Sequence, residues 1–327
     1  MQVKAVNGQD ITPANAEVFN VKTTRAWCGA FVGHPPTLTY TDNRFHYIVA
    51  GVTSLLTPLH APFFTNALLG GLLAALICAI AGTWVVIRGM SFLGEALSHG
   101  MLPGVAISAL IGLPPLLGAA ISALAMAFII GWLSKGSRLG DDTSIGVTFV
   151  LMLSLGVIIV SYSASFATDL TAILFGDILA ITPSELIPLG IALLVTILVT
   201  YLLRRPLIAL AFDASLAHTL RMRPNLARIA LTLLVTLALV ASYRAVGTLL
   251  VVALLIAPAA TAAQWSRSIL HMMCLAALFG ASSVVIGLYA SWYLATAAGA
   301  SIAFTSAFIF LISTLSSRSI ITRKAPA

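Results

Sequence analysis

The sequence predicts an all-α, polytopic integral membrane protein with about nine transmembrane helices, on three observations. Of its 327 residues 60% are hydrophobic and only 8% charged, whereas soluble domains carry roughly 25% charge, so this chain cannot clothe a water-facing surface. The apolar residues fall in long runs of membrane-spanning length instead of short alternating ones. The basic residues gather between those runs with a strong bias to one side. A soluble enzyme, a nucleic-acid binder and a disulfide-stapled secreted domain are thereby excluded. The formal charge of +7 reflects basic loops, not contacts to nucleic acid. Cys28, Cys78 and Cys274 are scattered, lack metal or redox spacing, and read as small core residues.

Residues 1–52 form a polar leading segment carrying Lys4, Lys22, Arg25 and Arg44. It has no apolar stretch long enough for the core of a signal peptide. It is expected to be disordered, or to lie upstream of the true start. No methionine falls between Met1 and Met90, so a later start requires a non-standard codon, for example at Val52.

The transmembrane domain is expected over 53–317. Its apolar runs cover 64–87, 91–112, 116–133, 144–163, 185–203, 226–243, 246–265, 269–294 and 299–316. Each approaches the roughly 20 residues that cross a hydrocarbon core. A short basic tail, 318–327, follows.

Orientation comes from lysine and arginine. With the loop after the fifth run inside, the inner positions hold Arg88, Lys135, Arg138, Arg204, Arg205, Arg221, Arg223, Arg228, Arg267, Arg318, Arg323 and Lys324. Those are twelve of the 17 basic residues, and only Arg244 falls in an outer loop. The positive-inside rule then puts the C-terminus in the cytoplasm. Asp169, Asp177 and Glu185 fall on or near the outer face, between the fourth and fifth runs. There they either form an acidic vestibule that attracts cations or are simply solvated loop carboxylates.

The second run reads Ser91-Phe92-Leu93-Gly94-Glu95-Ala96-Leu97-Ser98-His99-Gly100-Met101-Leu102-Pro103-Gly104. Ionisable groups at a helix centre in the membrane cost on the order of 3 kcal/mol, so they usually face a bundle interior or an aqueous path. Glu95 and His99 are four residues apart, on one helical face and about 6 Å apart along the axis. A carboxylate oxygen and an imidazole nitrogen so placed can grip one divalent cation. The alternative is a pair that satisfies itself near the cytoplasmic end of a kinked helix. Pro103 has no N–H for the carbonyl of His99, so the helix is expected to break there. Irregular backbone at membrane depth is tolerated where it is packed in protein or lines a cavity.

The loop from Arg204 to Arg228 is the second informative stretch. Leu210 to Leu220 reads as a short amphipathic helix with Asp213 as N-cap and Phe212, Leu216 and Leu220 on one side. Arg221 follows. Such an element either docks a partner or lies on the lipid surface. No phosphate-binding glycine loop, GxSxG or HExxH is present. Chemistry on covalent bonds therefore has no visible machinery, and transport is the default.

These residues resemble the membrane permeases of ABC-type manganese, zinc and iron importers, the ABC-3 family, over about 55–316. The signature is Arg88-Gly89-Met90-Ser91 through Pro103-Gly104. Further motifs begin at Leu55, run through Leu174-Phe175-Gly176-Asp177-Ile178-Leu179 and Ala211-Phe212-Asp213, and end in Gly247 to Thr261, which contains Pro258, a second expected helix break.

The resemblance implies an ABC-3-type bundle in a prokaryotic inner membrane. It implies a second permease copy, a cytoplasmic ATPase dimer and an extracytoplasmic metal-binding protein as partners. By it Glu95 and His99 hold the ion in the translocation path, and the segment from Phe212 to Arg223, within a coupling loop of 204–226, engages the ATPase. Asp169 and the run around Asp177 face the binding protein. No permanently bound cofactor is implied; the cargo is Mn2+, Zn2+ or Fe2+.

Two departures stand out. Glu95 replaces the family's usual aspartate, and Tyr293 and Ala295 stand where many members carry histidine and aspartate. The second departure leans toward manganese, a harder ion than zinc. The competing expectations are a siderophore or cobalamin permease, whose bulky cargo would not need the Glu/His pair, and a self-sufficient ion-coupled cation transporter.

Overall fold

The computed structural model describes residues 57–136, 141–161, 176–212 and 224–323. By internal contacts the chain divides into Met1–Ser54 and Leu55–Ala327, and every described residue belongs to the second unit. The leading segment 1–52 therefore lies outside the described residues.

Every described element is helical. The α-helices are α1 (Pro62–Ile87), α2 (Phe92–Gly100), α3 (Leu102–Ile111), α4 (Pro115–Gly136), α5 (Asp141–Ser161) and α6 (Pro183–Leu202). They continue with α7 (Arg204–Phe212), α8 (Pro224–Val246), α9 (Thr248–Trp265), α10 (Ile269–Leu294) and α11 (Ala298–Arg323). Two short 3-10 turns, Thr57–His60 and Ile178–Ala180, complete the set. Seven of these helices, α1, α4, α5, α6, α9, α10 and α11, are long and apolar enough to cross a membrane. Of the other two expected runs, the second is divided at Met101 into α2 and α3, and the sixth falls on the 23-residue α8, whose described stretch Ala227–Tyr243 is apolar.

Lipid offers no hydrogen bonds, so each span must satisfy its own backbone, and helix is the available solution. Polar side chains inside the spans follow the same rule. The hydroxyls of Thr83, Thr148, Thr196, Thr236 and Thr261 each donate to the carbonyl four residues earlier.

The buried centre is α1, which packs against α6, α8, α9 and α10. Its buried residues include Gly70, Gly71, Ala74, Ala75, Cys78, Ala81 and Gly82. Because lipid tails are as apolar as leucine, helices associate here through close packing, and small residues permit it. At Gly82 the backbone of α9 comes so near that a Cβ would strike the carbonyl of Leu255. At the end of the bundle where α1 begins, Phe64 meets Tyr289 and Trp292 edge-on, with ring centroids 5.3 and 5.6 Å away. At the opposite end of α9, Trp265 donates its indole N–H to Ser313 at 2.7 Å, and Gln264 donates to Thr314 at 2.9 Å. These contacts tie α10 and α11 to the centre at either end.

Three expectations are corrected. The helix α9 runs unbroken through Pro258; one lost N–H is tolerated in a helix packed against α1, α10 and α11. The stretch 204–212, expected as the start of a loop, is helical and packs on α8 and α6. The last helix continues to Arg323, through much of the stretch expected as a tail.

Candidate functional site

The turn leading into α2 is fixed by Arg88-Gly89-Met90. Gly89 has φ +68°, a left-handed conformation in which glycine meets no Cβ penalty. Around it the N–H of Met90 donates to Val85 at 3.1 Å and that of Gly89 to Val86 at 3.0 Å. This paired arrangement satisfies the last carbonyls of α1 and reverses the chain directly into α2.

One face of α2 is buried through Leu93, Gly94, Ala96, Leu97 and Gly100. Ser98, also buried, donates back to Gly94 at 2.9 Å. Gly94 lies against Leu255 of α9, and Gly100 against Met126 of α4. With its back held in this way, α2 presents Glu95 and His99 on its remaining face. His99 Nε2 and Glu95 Oε1 are 3.0 Å apart, with the His99 side chain 26% and the Glu95 side chain 42% exposed. Phe149 of α5 meets the His99 ring edge-to-face at 5.6 Å and Phe92 at 5.5 Å. The pair is thus mutually hydrogen-bonded, backed by aromatic rings and still accessible.

Immediately beyond, α2 gives way to α3 at Met101, and Pro103 occupies the first turn of α3. A missing N–H costs least in that position. The break is braced from α4: Ser122 donates its hydroxyl to the carbonyl of Gly100 at 2.6 Å. One turn further on, α3 and α4 cross with backbones touching at Gly104 and Gly118. Neither Phe149 nor Ser122 was marked by the sequence. Each sits in an ordinary apolar run, and only its long-range contact gives it a role.

The outer carboxylates separate from this pair. Among the described residues no group of three or more His, Cys, Asp or Glu side chains converges. Asp177 is exposed, next to the Ile178–Ala180 turn, on the rim of a cavity of about 200 Å3 shared with residues 296–300. Glu185 instead forms a capping box at the start of α6, accepting the Thr182 N–H at 3.1 Å. Asp169, Asp213, Leu216, Leu220 and Arg221 lie outside the described residues. Phe212 is the last described residue of α7, with its side chain likewise outside the description.

The geometry is a carboxylate–imidazole pair on a braced half-helix beside a helix break. The family model of the ABC 3 transport family matches residues 60–317. This chain belongs to the ABC 3 transport family. It is accordingly a multi-pass membrane transport protein of the ABC type.

Its relatives match along most of their length. The manganese import system permease protein ScaB of Streptococcus gordonii is 38% identical over 252 residues, covering 77% of this chain and 90% of that protein. The manganese transport system membrane protein MntC of Halalkalibacterium halodurans is 37% identical, covering 76% and 86%. The "Probable iron transport system membrane protein" of Haemophilus influenzae is 33% identical, covering 79% and 95%. Among solved structures, PsaBC from Streptococcus pneumoniae in complex with Fab matches with a TM-score of 0.71 and 36% identity, covering 80% of this chain and 95% of that one.

Proposed function

We propose that this ABC 3 family member is the permease subunit of an importer for a divalent transition metal, with manganese as the favoured cargo. Glu95 and His99 are its cargo ligands. The observation that carries the site assignment is the Glu95–His99 pair, 3.0 Å apart on one accessible face of α2. The manganese systems to which two of the relatives belong by name support the choice of ion; iron, named for a third, is the next candidate.

One chain offers a carboxylate and one imidazole, whereas first-row divalent ions take four to six donors. A second copy of the permease, presenting its own pair, brings the set to four donor groups. A site shared in this way is suited to transport. Each half holds the ion only in part, so separating the halves lets it leave, and conduction requires binding that is not too tight. His99 offers Nε2 once it has no proton there, and Glu95 supplies negative charge that favours a cation over an anion.

The remaining parts follow the family resemblance. The loop 204–226, with Phe212, Asp213, Leu216, Leu220 and Arg221, engages a cytoplasmic ATPase dimer. Asp169 and Asp177 face an extracytoplasmic metal-binding protein that delivers the ion. The chain sits in a prokaryotic inner membrane with its C-terminus in the cytoplasm and carries no permanent cofactor. The hydrolysis that drives transport belongs to the ATPase subunits.

The test is metal accumulation in a strain lacking the native permease gene, measured by mass spectrometry for manganese, zinc and iron after complementation. Wild type should restore manganese most, and His99→Ala should restore none while reaching the membrane at normal levels. Full accumulation by His99→Ala would overturn the site. Rescue of zinc alone would overturn the choice of ion.

A further inference from the structure

Away from α2 and α5, the bundle carries a long apolar groove walled by α4 and α6, with α8 as its floor. Three cavities make it up, of about 330, 460 and 340 Å3. They are continuous: the first and second share Leu124 and Leu233, and the second and third share Val195 and Val240. Its two ends differ in charge. Arg228 and Trp132 line one end, and Glu185, whose carboxylate caps α6 at Thr182, lines the other. No residue of the groove belongs to the Glu95–His99–Phe149 site.

We propose that this groove is a binding site for an anionic phospholipid. The acyl chain lies along Leu124, Leu233, Val195 and Val240, and the headgroup phosphate meets the Arg228 guanidinium. Charge decides the direction, because the phosphate is drawn to Arg228 and repelled by Glu185. The chemistry at the basic end fits a headgroup zone. Arginine pairs with phosphate through a planar fork of donors, and a tryptophan beside it, 69% exposed at the end of a span, belongs at the lipid–water boundary. Basic pockets between membrane helices are a recurring form of anionic headgroup site. The groove opens beside Gly131, where a Cβ would meet nothing within 4 Å, so an acyl chain has unobstructed access.

The test is native mass spectrometry of the full-length protein, purified from membranes and exchanged into equal amounts of phosphatidylglycerol and phosphatidylcholine. Wild type should retain phosphatidylglycerol in preference to phosphatidylcholine. Arg228→Gln should reduce that preference about fivefold, the usual worth of one basic residue at an anionic lipid surface. Gly131→Leu adds a side chain at a lining position where a Cβ meets nothing within 4 Å; it should reduce phosphatidylglycerol retention while keeping Arg228, which covers the case in which Arg228→Gln fails to fold. Equal retention of the two lipids by wild type, or undiminished phosphatidylglycerol in Gly131→Leu, would overturn the proposal. So would an intermolecular disulfide formed by Gly131→Cys, because that outcome puts a second copy of the chain in the groove.

Discussion

Glu95 Oε1 lies 3.0 Å from His99 Nε2 across a single turn of α2, with both side chains accessible. A pair of this kind contributes only about 0.3–0.5 kcal/mol to folding. Its removal should therefore leave stability almost untouched, while the loss of a metal donor should lower uptake by roughly tenfold or more. For both His99→Ala and Glu95→Gln we expect a melting temperature in detergent close to wild type together with strongly reduced manganese accumulation. Glu95→Asp keeps the charge and both carboxylate oxygens, and should retain uptake within a few-fold. Parallel loss of melting temperature and uptake in His99→Ala would mean that the pair is structural.

The bond from Ser122 to the Gly100 carbonyl, at 2.6 Å, is expected to steady the break between α2 and α3. A hydrogen bond between membrane helices is worth about 0.6 kcal/mol on average and at most about 2. Ser122→Ala should lower the melting temperature slightly and lower uptake more, because the carbonyl it holds adjoins His99. Gly118→Leu is a different matter. Its side chain would enter the backbone contact with Gly104, and we expect little folded protein, read as loss of the monodisperse peak on size exclusion.

The helices were legible where span length alone decides them. Eight of the nine expected runs coincide with one helix each, and their ends agree within three residues except at the end of α11. Apolar length is a direct demand of the hydrocarbon core, so sequence reports it well. The exceptions follow from contacts that no local pattern encodes. α9 tolerates Pro258 because its neighbours pack around it, and α7 forms at the start of the expected loop 204–226 because it packs on α8 and α6. In the site, Glu95 and His99 were visible as charge in an apolar run with helical spacing. Phe149 and Ser122 were not, since a phenylalanine or serine in a membrane run is unexceptional until a partner 50 or 22 positions away is known.

Ala295 ends α10 with φ +50° and ψ +43°, in the left-handed region. It is the only described non-glycine residue with positive φ. An L side chain pays roughly 1–2 kcal/mol there, and glycine pays none. Ala295→Gly should therefore stabilise the protein by about 1 kcal/mol, seen as a raised melting temperature. Ala295→Val, β-branched at the same angle, should lower it. Equal melting temperatures for all three would show that residue 295 does not hold this conformation in solution.

The packing rule for the spans can be tested with one chemical change, glycine to alanine, at three positions. At Gly82 the new methyl would meet the carbonyl of Leu255, part of a helix backbone that cannot rotate away. Accommodating it means separating α1 from α9 at the centre of the bundle, and overpacking of that kind costs about 1–3 kcal/mol or more. At Gly94 the methyl would come within 2.6 Å of Leu255 Cδ2, the end of a side chain that can change rotamer, so the cost should be smaller. At Gly190, inside α6, nothing lies within 4 Å, and alanine's helix preference should add up to about 1 kcal/mol of stability. The melting temperatures should therefore rank Gly190→Ala at or above wild type, then Gly94→Ala, with Gly82→Ala lowest. Helix propensity acts in the same direction at all three sites, so only the distance to the neighbouring helix can produce that order. A Gly82→Ala variant as stable as Gly190→Ala would mean that α1 and α9 are not in backbone contact at Leu255.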